Sequence, residues 1–185
     1  DSGTSAGNTF QAGTLDLKLS DGNETDQDNV TLTWSGSAMV PGGAGATATL
    51  NLKNVGDPAA DHVHLQFANV ITPGAGVGAT ESDLITKHLQ VTSLTYDGTQ
   101  LLLTTDIPDS NANVYLDLAD LEAAGMIGAH SGTIASSPKS LDLTNLNTDH
   151  PLAMTVALNN DSPDQNQGDL DTMTITVTLH QADGQ

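Results

Sequence analysis

The longest regular pattern in the chain runs from Asp171 to Gln181. Met173, Ile175, Val177 and Leu179 fall on one face, and Thr172, Thr174, Thr176, Thr178 and His180 on the other. A period of two over that length is a β-strand with one face on a core and the other in water. The same alternation starts at Thr14, with Leu15, Leu17 and Leu19 opposed to Asp16 and Lys18. Between these two stretches lie further short, Thr-rich runs: Val30 to Trp34, Ala46 to Val55, His62 to Phe67, Leu89 to Tyr96, Ser140 to Leu146 and Pro151 to Leu158. Thr suits such strands, because a β-branched side chain fits the pleat and its hydroxyl keeps the outer face wet. In the His62 run the pattern buries Val63, Leu65 and Phe67 and exposes His62 and His64.

The breaks between runs carry turn chemistry. Met39-Val40-Pro41-Gly42-Gly43 and Asn147 to His150 read as turns, and Asn159 to Gly168 as a polar loop. Asp97-Gly98 between Tyr96 and a returning Leu101 to Thr104 signals a hairpin. Pro73 to Gly78 is rich in Gly but lacks the Lys-Ser/Thr ending of a phosphate-binding loop, so it reads as a connection. Two stretches read as short helices. Thr80-Glu81-Ser82-Asp83 has the form of a capping box and predicts a helix to about Leu89. Asp117 is placed to cap Leu118 to Ala124, with Gly125 as the stop. About nine or ten short strands with two small helical excursions, and no alternation of strand with long helix, predict an all-β fold of two antiparallel sheets packed as a sandwich. Its core would be aliphatic, with Phe10, Trp34 and Phe67 as the large pieces.

At 185 residues the chain fits one domain with a sizeable core. It has no cysteine, so packing and sheet must stabilise it without disulfides, and thiol chemistry is excluded. No apolar run approaches the roughly 20 residues of a membrane-crossing helix. A start at Asp1 is what removal of a secretory signal would leave. The charge is the strongest compositional signal: 23 acidic residues against Lys18, Lys53, Lys87 and Lys139, a formal net charge of −19. Nucleic acid and anionic membranes need basic patches and are poor partners for this surface. Because the acids are spread along the chain, they read as a surface coat. Two sources fit: a halophile, where salt screens the coat, or an ordinary acidic secreted protein.

Candidate chemistry is sparse. His62 and His64 could hold a metal if His180 lay beside them, but no His-Glu-x-x-His helix is present and none of Glu24, Glu81 and Glu122 adjoins a histidine pair. The reading is therefore exposed strand histidines and no metal ligands. Neither a Gly-x-Ser-x-Gly elbow nor a thiol nucleophile occurs, so no enzymatic activity is expected. The Asp-rich stretch Asp21 to Asp28 offers oxygen ligands for a structural cation such as Ca²⁺ without matching an EF-hand loop; no other cofactor is indicated. Asn23, Asn29 and Asn160 begin N-x-Ser/Thr sequons in segments read as surface, each a candidate for N-glycosylation.

Three phrases, in order along the chain, resemble one family. Phe10-Gln11-Ala12-Gly13-Thr14-Leu15-Asp16-Leu17 looks like an opening strand. Val40-Pro41-Gly42, then Leu50-Asn51-Leu52-Lys53-Asn54-Val55-Gly56, looks like a Pro-Gly turn followed by a strand ending in Asn-x-Gly. Asn166-Gln167-Gly168-Asp169 then leads into the final alternating strand. Together they are similar to the TasA/camelysin family of secreted biofilm-matrix fibre subunits, of which related forms occur in archaea. The resemblance implies a jelly-roll-like sandwich, secretion after signal cleavage to the cell surface or beyond, and a helical homopolymer of identical subunits assembled by donor-strand complementation. The donor it implies is Asp1, Ser2, Gly3, Thr4, Ser5, Ala6, Gly7, Asn8, Thr9 and Phe10. The chain then divides into residues 1–12 as donor segment and 13–185 as a single sandwich domain. Composition is compatible with that division, since Asp1 to Gly7 has too little apolar surface to pack alone. Two other classes stay open: a surface or adhesin module that does not polymerise, and a camelysin-like surface metallopeptidase.

Overall fold

The structure is a computed structural model, and it describes residues 15–21, 27–28, 39–57, 60–74, 84–101, 107–128, 141, 145 and 147–180. Within them the chain is all-β, with two antiparallel sheets. Eight strands are formed: β1 Leu17–Ser20, β2 Ala46–Asn54, β3 His62–Thr72, β4 Leu89–Tyr96, β5 Thr99–Gln100, β6 Met126–Ile127, β7 His150–Leu158 and β8 Leu170–His180. One sheet has the order β1-β2-β7-β4-β5 and the other β6-β3-β8.

The sheets close on the aliphatic face that the alternation marks. From the larger sheet come Leu50, Leu52, Leu94, Leu152 and Met154, each at most 3% exposed, and from the smaller Val63, Leu65 and Phe67, each at most 2%. Burying a side chain of this size contributes about 1.5–3 kcal/mol, so this layer dominates the stabilisation. Phe67 takes its predicted place in the core; Phe10 and Trp34, together with the predicted strand Val30 to Trp34, lie outside the described residues. So do residues 102–104 of the returning hairpin strand and most of Ser140 to Leu146, of which buried Leu141 accepts a hydrogen bond from the Val63 amide at 2.9 Å.

The turns form for the reasons their residues suggest. Asp97 and Gly98 both take positive φ, 49° and 72°, as a two-residue hairpin turn matched to strand twist requires. The Asn-x-Gly phrase is an Asx turn: Asn54, fully buried, accepts through Oδ1 from the Gly56 amide at 3.0 Å and from the Asp16 amide at 3.3 Å. It thereby ties the entry of β1 to the end of β2.

Of the two predicted helices, one forms as expected. Helix α1, Leu118–Ala123, is capped by Asp117, whose side chain accepts from the Asp120 amide at 3.0 Å while Asp120 accepts from the Asp117 amide at 3.2 Å. Gly125 beyond it has φ 67°. The other prediction shrinks to a single 3-10 turn, Ile85–Lys87, preceded by Leu84, which makes no side-chain cap. The capping-box residues Thr80 to Asp83 lie outside the described residues. Ile85 and Thr86 are buried, so packing holds this turn without a cap. A second 3-10 turn, Asp164–Asn166, stands in the loop read as irregular.

Candidate functional site

Among the described residues, strand β8 is an edge of the smaller sheet. It pairs with β3 in unbroken register over 11 positions, from His62 opposite His180 to Thr72 opposite Leu170. Among the described residues, its other edge has no strand beside it. At about 3.3 Å per residue that edge is roughly 36 Å long. Natural sheets blunt such edges with Lys or another charge, Pro or a bulge. β8 contains neither Lys nor Pro, its register with β3 carries no shift, and its one acidic residue is Asp171 near its start.

The inward side chains of β8 are also under-covered. Met173, Ile175, Val177 and Leu179 pack against the core, as the pattern predicts, yet none is fully buried, whereas Val63, Leu65 and Phe67 on the neighbouring strand are. The gap is a groove of about 940 Å³ with Met173 and Ile175 on one side and Leu50, Val156 and Leu158 of the larger sheet on the other; Leu19 of β1 also lines it. That is in the size range of sites that enclose a drug-sized ligand, enough for several alternate side chains of an added strand. The loop leading into β8 is rigidly set: Asp169 Oδ1 accepts from the Gly74 amide at 2.6 Å. Gly74 must be glycine, because a Cβ there would lie 2.5 Å from the backbone carbon of Gly168.

A carboxyl sits on the same inward face. Asp171 is half-buried with its Oδ1 unpartnered; burial, helped by the charge of Glu122, raises its pKa to about 6. Beyond it lies a second polar cluster around α1. Asp117 and Asp120 are fully buried; Asp117 Oδ2 accepts from Asn111 and Asn113, each at 2.8 Å, and Asp120 Oδ1 from the Ser110 amide and hydroxyl, each at 2.7 Å. Burial pushes the Asp117 carboxyl above its usual range. With these donors directed at them, the two carboxylates fasten the 110–115 loop to the helix.

The histidines depart from the expectation. His62 and His64 do share the outer face of β3, but His62 is only 6% exposed and His64 is half-buried. The register supplies the reason, since it puts His180 directly opposite His62 and the three rings cover one another. The ring centroids of His64 and His180 are 3.9 Å apart, those of His62 and His64 4.8 Å, and those of His62 and His180 5.3 Å. Burial and the neighbouring His180 and His62 lower the His64 pKa to about 4, leaving it neutral at pH 7.

Of the remaining candidates, Asn160 and Asp28 are described and do not line the groove. Asn160 is exposed in a turn, as a glycan acceptor requires, while Asn23 and Asn29 lie outside the described residues. Of the Asp-rich stretch, Asp28 is paired with Lys18 Nζ at 2.6 Å. The donor segment Asp1 to Phe10 also lies outside the described residues. Neither a scan against protein-family models nor a search of the curated proteins gives a match for this chain.

Proposed function

We propose that the protein is a structural subunit of an extracellular filament or pilus, of the biofilm-matrix or cell-surface kind, that polymerises head to tail by donor-strand complementation. One observation carries the reading: among the described residues, an 11-residue edge strand without Lys, Pro or a register shift borders a 940 Å³ groove on whose β8 side Met173 and Ile175 are only half-buried. A strand added there satisfies the free backbone groups of β8, and its alternate side chains enter the groove. The donor is Asp1 to Phe10 of a second copy, with Phe10 as the apolar anchor among small Ser, Thr, Ala and Gly residues. Such a contact joins two different surfaces of the subunit, so it repeats into an open helical homopolymer unless the rotation closes a ring. The jelly-roll-like connectivity, the cell-surface location after signal cleavage and the lack of enzymatic activity belong to the same reading. The acidic coat suits a subunit that works in salt, as in a halophilic archaeon.

The test is to remove residues 1–10. The shortened chain is expected to fold and remain monomeric, and to bind a synthetic peptide of residues 1–10 that the full-length filament does not take up. Filaments of normal appearance from the shortened chain refute the donor role.

A further inference from the structure

The outer face of the β3–β8 pair carries a feature that filament assembly does not use. His62 and His64, two apart on β3, project from one face of the strand, and the register sets His180 of β8 opposite His62. One ring nitrogen from each of the three lies within 4.8 Å of the others. His62 Nε2 and His64 Nε2 are 3.0 Å apart. On the far side of His62, Nδ1 lies 2.8 Å from Asp61 Oδ2. A carboxylate in that place keeps the proton on Nδ1, so the lone pair of Nε2 points toward the other two rings. This is how metal-bound histidines are oriented by the groups behind them. His64 Nδ1, on the other side of that ring, is buried without a hydrogen-bond partner, so its Nε2 is the nitrogen that faces the cluster.

We infer that His62, His64 and His180 bind one divalent late transition-metal ion of the Zn²⁺ class, with Asp61 orienting His62. The donor set decides the ion. Three imidazole nitrogens suit Zn²⁺, Ni²⁺ or Cu²⁺, whereas Ca²⁺ and Mg²⁺ seek oxygen ligands. Nitrogens held at about 2.0–2.1 Å around a tetrahedral ion are roughly 3.3 Å apart, so the present spacing closes onto a metal by side-chain adjustments of about an ångström. Three protein ligands leave the fourth position to water or to a group from outside. Bound there, the ion staples the start of β3 to the end of β8.

The test uses the full chain, stripped with chelator and kept in molar NaCl with excess Ca²⁺ to occupy the acidic surface. Titration with ZnCl₂ by calorimetry is expected to show one ion per chain, and Co²⁺ to give the strong visible absorption of a tetrahedral site. His64→Ala and His180→Ala should each lower the affinity at least 100-fold, and Asp61→Asn by about 10–100-fold. A measurement on the unaltered chain covers the case of variants that fail to fold. Of the six histidines, the ring resonances of His62, His64 and His180 should shift on adding Zn²⁺ while the others stay in place. Zn²⁺ uptake that Ca²⁺ displaces, uptake that persists in both alanine variants, or unshifted resonances for the three rings would overturn the assignment.

Discussion

Replacing Asn54 by alanine tests whether one buried amide fixes the β1 edge of the sandwich. Asn54 is fully buried, and its Oδ1 accepts from two backbone amides, Gly56 at 3.0 Å and Asp16 at 3.3 Å. Alanine leaves both amides without that acceptor, in a part-buried setting that water reaches incompletely. At about 1–1.5 kcal/mol each, the low end of the range for unsatisfied groups, and with a small void added, the loss is about 2–4 kcal/mol. For a chain of this size that lowers Tm by about 5–15 °C. The comparison variant is Thr47→Ala on the same strand, where an exposed hydroxyl pairs with Thr155 Oγ1 at 2.8 Å. An exposed substitution of that kind costs within about 0.5 kcal/mol. Urea unfolding in molar NaCl, with m unchanged, measures both. If Asn54→Ala costs no more than Thr47→Ala, the two amides do not depend on Asn54 and the reasoning fails.

Two further perturbations address charge. The raised pKa of Asp171 means that the fold favours its protonated form; that contribution is complete below the ordinary value of 3.8 and is lost as pH rises through about 6. Asp171→Asn should therefore raise Tm at pH 8 and lose this advantage at pH 4, and an equal difference at both pH values contradicts the assignment. With a net charge of −19, lowering salt from molar to millimolar lengthens the screening distance from about 3 Å to more than 10 Å. Tm and the extent of assembly should both fall, and a Tm that ignores salt would count against the coat as a salt adaptation.

How much of this was legible in the sequence depends on the range of the interaction. Period-two runs placed β2, β4, β7 and β8 within a residue or so, because one buried face imposes its alternation locally. The N-cap of α1 was legible for the same reason, as Asp117 and Asp120 act within one turn. β3 runs five residues past the predicted Phe67, because Asn69 and Ile71 continue its inner face less regularly than Val63 to Phe67. What could not be read was register. Nothing in the chain states that His180 falls opposite His62, and without that pairing His62-x-His64 reads as an exposed pair. The groove was hidden likewise: the clean alternation of β8 announces an inward face, but only the sheet order reveals that nothing among the described residues pairs beyond it.

The central claim is settled most directly by the structure of the assembled polymer, by electron cryomicroscopy of full-length chains in molar salt. The account predicts that residues 1–10 of one subunit lie extended along the free edge of β8 in the next, hydrogen-bonded to it, with Phe10 in the groove walled by Met173 and Ile175. A polymer in which residues 1–10 pack on their own subunit, one whose contacts leave the β8 edge in solvent, or a full-length chain that stays monomeric in these conditions would contradict it.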